Sequence, residues 1–179
     1  MILIASTVVY GRVLAEIAAV ARPFLRTAAP PILALSAAMA AAAAALWLMT
    51  RGQKPVKVEG QQPADLKTAF TFAALYVVVL FAVSYAKHKA GTRGLYLVSV
   101  LSGLTDIDAI TLSVARLVAS NEIDPGQGWR LIVVALLSNL VFKGAMAAVL
   151  GDGRLRRWIL LLFGLQLLAG AAVLAFWPS

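Results

Sequence analysis

Long apolar blocks separated by short polar stretches set the pattern of the chain. They run Ile2–Ala21, Ile32–Met49, Thr68–Ala86, Leu95–Ala119, Leu131–Leu150 and Trp158–Trp177. Each is close to the ~20 residues with which an α-helix crosses a bilayer core. The strict alternation of a membrane β-barrel is missing. The pattern predicts an all-α, polytopic transmembrane helical bundle of six spans. Ala19-Val20-Ala21 has the look of a cleavage site, but no positive residue precedes the first block and Arg12 and Glu16 interrupt it. The block therefore reads as a retained span and not as a signal peptide. The polar stretch Arg51–Asp65 is the one long linker. It divides a two-span N-terminal half at residues 1–50 from a four-span unit at 66–179. Ser6-Thr7-Val8-Val9-Tyr10 in span 1 resembles Ser138-Asn139-Leu140-Val141-Phe142 in span 5. The likeness points to a parallel internal repeat relating spans 1–2 to spans 5–6, and such repeats are frequent in transporters. Span 2 is rich in alanine, whose small side chain allows close helix approach, which places it inside the bundle or at an oligomer contact.

Composition narrows the class further. Of 179 residues 61% are hydrophobic and 13% charged, against about 25% charged in an ordinary soluble domain. A soluble enzyme domain or a disordered tail is excluded. No cysteine is present, which removes disulfides, thiolate chemistry and metal–thiolate sites. The one histidine, His88, sits between Lys87 and Lys89 and reads as a solvated loop residue. The net charge of +8 does not indicate nucleic-acid binding, because no basic stripe is interleaved with exposed aromatics. Basic residues collect in the short connections 22–31, 87–94 and 151–157, which places those loops in the cytoplasm and both termini on the non-cytoplasmic side. Trp47, Trp129, Trp158 and Trp177 fall at span ends, where indole anchors in the headgroup layer. The lipid bilayer is the first partner.

Charges inside apolar spans are functional candidates, since each costs at least ~2.5–3.5 kcal/mol at mid-bilayer. Five qualify: Arg12, Glu16, Asp106, Asp108 and Lys143. Arg12 and Glu16 are four residues apart and form an intramembrane ion pair within one helix. On a straight span 4, Ser99, Ser102, Gly103, Asp106, Ala109 and Ser113 share one small, polar face, and Asp108 lies about 200° from Asp106. The two carboxylates then occupy separate environments. The alternative is a break near Ser102-Gly103, where Thr105 bonds back to the backbone and freed carbonyls join both aspartates in an all-oxygen site for a hard cation or proton. In that case Asp106 and Asp108 are the metal-ligand candidates. Lys143, with Asn139 on its face, is placed to neutralise Asp106; the competing reading is a lysine that snorkels to the headgroups. No cofactor beyond a bound cation is implied.

Ser102-Gly103-Leu104-Thr105-Asp106-Ile107-Asp108-Ala109-Ile110-Thr111, with Gly94-Leu95-Tyr96 before it and Ser138-Asn139-Leu140-Val141-Phe142-Lys143-Gly144 after it, resembles the C-terminal domain of unknown function of MgtC/SapB-like bacterial membrane proteins. Ile4-Ala5-Ser6-Thr7-Val8-Val9-Tyr10-Gly11-Arg12 is similar to an earlier segment of that domain. The resemblance covers most of the chain, which departs from it in lacking the MgtC-like N-terminal domain and the helix before span 1. It implies a bacterial inner-membrane protein, loosely tied to magnesium homeostasis and transport, with Asp106, Asp108, Asn139 and Lys143 on motif positions. It supplies no reaction. The reading is a transporter or channel for a small cation or proton, acting as a homo-oligomer with a dimer as its simplest form. The alternative is a non-transporting membrane interaction or regulatory protein whose buried charges are structural. An enzyme is not expected, because no nucleophile–base pair is visible. A reporter fused to the C-terminus and active only in the cytoplasm should stay silent.

Overall fold

The computed structural model describes residues 2–50, 92–150 and 153–178. The linker Arg51–Asp65, the span Thr68–Ala86 and His88 lie outside the described residues. Within them the chain is helical throughout, as expected: α1 (Ile2–Val20), α2 (Arg22–Thr50), α3 (Thr92–Thr105), α4 (Ile107–Ala119), α5 (Pro125–Leu150) and α6 (Gly153–Phe176).

One residue, Ala21, joins α1 to α2, and the two helices pack along each other. The residues that the pair buries are Tyr10, Val13, Ile17, Ala21, Phe24, Ala28, Ile32, Leu35 and Met39. The spacing of three or four residues continues without a gap from one helix into the next, which is the period of a core-facing helical stripe. This corrects the expected loop at 22–31. Pro23 is tolerated in the first turn of α2, and burial of Phe24 and Ala28 carries the helix on through Pro30 and Pro31. The proline pair removes the amide donors that would serve the carbonyls of Arg26 and Thr27.

The expected span Leu95–Ala119 is two helices meeting at Asp106, so the broken form replaces the straight one. At 14 and 13 residues, α3 and α4 measure about 21 and 20 Å, short of the ~30 Å hydrocarbon core. After α4, Asn121 adopts φ 59°, a left-handed conformation that asparagine tolerates at helix ends. α5 then starts six residues earlier than its apolar block. Asp124 Oδ2 accepts from the Gln127 amide at 3.2 Å, and Pro125 takes the first helical position, a strong start signal.

Two segments among the described residues are long and apolar enough to cross a membrane, Arg22–Ala45 and Pro125–Met146. Shorter apolar helices occupy Gly94–Thr105 and Leu160–Phe176. Large apolar side chains also face outward: Val8, Leu33, Leu97, Val141, Leu161, Leu165 and Leu168. Ala40, Ala41, Ala44 and Ala45 are exposed, so the alanine run is not inside the protomer, which leaves the other expected place, an oligomer contact. One placement differs from expectation. Trp129 is fully buried, with Arg130 stacked 4.9 Å over its ring, and is a core residue, not a headgroup anchor.

Small residues set the closest approaches. At Gly103 an added Cβ would meet the backbone of Ala135, with Cα at 2.7 Å. At Gly128 it would meet Val118 at 2.7 Å and Phe24 at 3.0 Å, where α2, α4 and α5 converge. Gly103→Ala should therefore lower stability by about 1–3 kcal/mol through overpacking, measured as a fall in thermal unfolding midpoint in detergent. Gly11→Ala, with nothing within 4 Å of its Cβ, should leave the midpoint unchanged or higher.

Candidate functional site

The site is built on the interruption between α3 and α4. An interrupted helix leaves amides and carbonyls without partners, and side chains meet several of them here. Asp106 has φ −148° and ψ 110°, and its Oδ1 accepts from the Asp108 amide at 2.9 Å, the standard work of an N-cap. On the α3 side, the Ser102 carbonyl accepts from the Asp106 amide at 2.7 Å and from Thr105 Oγ1 at 3.1 Å. Asn139 on α5 donates Nδ2 to the Gly103 carbonyl at 2.9 Å, and Ser138 donates Oγ to the Val100 carbonyl at 2.6 Å. Thus Thr105, Asp106 and Asn139, three of the sequence candidates, hold the break together.

Asp108 sits in the first turn of α4, where the helix dipole favours a negative charge. Its Oδ1 lies 2.6 Å from Arg12 Nη2 of α1. Arg12 Nε is 3.9 Å from Glu16 Oε1, so the expected Arg12–Glu16 contact exists and is the longer of the two. The guanidinium bridges α1 to α4, a connection that helical spacing within span 1 could not reveal. Glu16 Oε2 is buried without a hydrogen-bond partner.

The five charges are less enclosed than expected. Arg12 and Asp106 are exposed on the protomer, and Glu16, Asp108 and Lys143 are partly buried. The buried polar residues among those described are Ser6, Ser99, Ser102, Thr111, Ser138 and Gln166. The two aspartates share one turn but face different partners, a backbone amide and a guanidinium. No Lys143–Asp106 ion pair forms among the described residues; Lys143 instead borders a narrow cleft with Ser6, Tyr10, Asn139 and Leu140. Asp106 uses its carboxylate to cap the Asp108 amide.

Residues from both arms line one cavity of about 120 Å³, including Leu95, Ser99 and Ser102 of α3 and Ala109, Ser113 and Leu117 of α4. On a straight helix Leu95 and Leu117 would be about 33 Å apart, so the chain bends sharply at Asp106. The expected small, polar face is split by that bend: Ser99, Ser102, Ala109 and Ser113 face the cavity, whereas Gly103 packs on α5. Sequence reasoning also passed over Gln166. Its Nε2 reaches Tyr10 Oη at 3.0 Å and the Leu35 carbonyl at 2.9 Å, tying α6 to α1 and α2. A lone amide in an apolar span was the available signal.

Comparison with known proteins gives two findings. Residues 1–151 match the family described as "Domain of unknown function (DUF4010)". A protein of Aquifex aeolicus (strain VF5), described as uncharacterized, is 36% identical over 120 residues, covering 65% of this chain and 52% of its own length. The chain thus spans about half the length of that curated relative. No solved structure matches. The match is to the domain alone and does not reach the MgtC/SapB-like proteins of the sequence resemblance.

Arg12→Met leaves Asp108 without its counter-charge. Because the side chains of Arg12 and Asp108 remain 53% and 35% exposed, the loss should be about 1–3 kcal/mol, below that of a fully buried pair. Thermal unfolding of Arg12→Met, Asp108→Asn and the double variant measures it; the double variant should recover most of the loss.

Proposed function

The chain belongs to the DUF4010 family, and from that premise we propose that it is an integral membrane protein that binds or moves a small cation or a proton at the break between α3 and α4. The observation that carries the reading is Asp106, an exposed carboxylate at a helix interruption within an otherwise apolar, outward-facing helical assembly. Interrupted half-helices are a recurring way to place carbonyls and carboxylates at an ion site in transporters. Non-helical backbone at membrane depth is tolerated only where protein or a water-filled cavity covers it.

A carboxylate facing lipid is costly, which supports a homo-oligomer in which a second copy shields this face. Asp106 and Asp108 are the cation ligands of this reading, Ser102, Thr105 and Asn139 shape the site, and Arg12, Glu16 and Lys143 balance its charge. A bacterial inner membrane, six spans with spans 1–2 repeated as 5–6, kinship with MgtC/SapB-like proteins and both termini outside complete it.

A second reading has its own support: the Arg12–Asp108 contact already neutralises one aspartate, and the cap made by Asp106 is a structural use of the other. The protein is then a non-transporting component whose charges fix helix register.

Asparagine caps a helix about as well as aspartate, so Asp106→Asn/Asp108→Asn removes charge and keeps the fold. In proteoliposomes carrying gradients of Na⁺, K⁺, Mg²⁺ or protons, the native protein should dissipate one of them. The double variant should do so at least tenfold more slowly. Equal flux in the two proteins, or none in the native one, would overturn the transport reading.

A further inference from the structure

The cavity between the two arms lies outside the charged site described above. Its walls combine aliphatic side chains such as Leu95 and Leu131 with Ser99, Ser102 and Ser113. Ser99 is fully buried, and its Oγ has no hydrogen-bond partner. A buried hydroxyl left unpaired costs about 1–3 kcal/mol, so an occupant that can hydrogen-bond is favoured there. A volume of about 120 Å³ has room for several waters. Among the described residues no charged side chain lines it. Ser102 and Ala109, both in its wall, precede and follow Asp106 by four and three residues. Asp106 forms no ion pair among the described residues, and its carboxylate therefore biases the local potential toward cations.

We propose that this cavity is a water-filled vestibule, through which a small hydrated cation approaches Asp106, with Ser99 holding the first ordered water. The proposal rests on the transport reading for the identity of the traveller, but the presence of water in the cavity does not. Lipid acyl chain or protein filling the space is the competing occupant.

The chain has no cysteine, so a single introduced thiol is the only one to label. Ser99→Cys and Ser113→Cys, in the full chain in liposomes, are treated with the cationic methanethiosulfonate ethyltrimethylammonium and with its anionic ethylsulfonate counterpart. Glu122→Cys, exposed in the turn between α4 and α5 and outside the cavity, serves as the open reference, and Ala28→Cys, fully buried, as the closed one. Ser99→Cys should react with the cationic reagent within about tenfold of Glu122→Cys and at least a hundredfold faster than Ala28→Cys, with a cationic-to-anionic rate ratio severalfold above that of Glu122→Cys. Ser113→Cys repeats the measurement should Ser99→Cys fail to fold. Reactivity as low as that of Ala28→Cys would overturn the vestibule, and a cationic-to-anionic rate ratio no higher than that of Glu122→Cys would overturn its cation preference. Labelling requires no transport. A failed label thus leaves the flux experiment standing, and a labelled cavity beside unchanged flux in Asp106→Asn/Asp108→Asn would sink the transport reading alone.

Discussion

The interruption of the helix at Asp106 is the constraint on which the rest of the structure depends. Amides and carbonyls released from a helix in apolar surroundings must find partners nearby, because water is not freely available to them. Asp106 supplies its own carboxylate to the Asp108 amide, Thr105 turns its hydroxyl back to Ser102, and Asn139 reaches across from α5 to Gly103. These bonds fix where α3 stops and where α4 starts. They also decide that Asp108 emerges in the first turn of a helix, aimed at α1.

That direction explains the charge arrangement. Arg12 stands one turn before Glu16 on α1 and would have a local partner in any straight helix. With Asp108 presented to it, the guanidinium joins two elements that are far apart in sequence. Among the described residues one cation then serves two carboxylates, leaving Glu16 Oε2 unpartnered and Asp106 with its capping bond alone. A site with more acid than base in contact is electrostatically prepared for a further positive charge. The same contacts would also hold helix register in a protein that moves nothing. Structure and chemistry thus draw on the same side chains.

Packing around the break relies on residues that give way. Gly103 lets α3 rest on the backbone of Ala135, Gly128 admits Phe24 and Val118, and Gly170 admits Leu137. In the membrane reading, helices gain little from burying apolar surface against each other, so close contact and interhelical hydrogen bonds would carry the association. Gln166, bonded to both Tyr10 and the Leu35 carbonyl, adds such a bond where α6 meets the α1–α2 pair.

The sequence by itself determined the helical class, the limits of α1 and α6 to within a few residues, and the importance of the Ser102–Ser113 stretch. Each is a local property: apolar run length sets a helix, and a carboxylate in an apolar run must have a reason to be there. The sequence held both straight and broken forms of that stretch, because capping and helix propensity are close in energy, and the contacts from Ser138 and Asn139 on α5 add to the local caps only in the folded chain. Tertiary structure alone decided that residues 22–31 are helical, since burial of Phe24 and Ala28 against distant elements outweighs two prolines. It alone turned Trp129 inward and left Lys143 apart from Asp106. It alone brought Arg12 to Asp108, because side chains ninety-six positions apart meet only through the path of the backbone between them, which no spacing rule encodes.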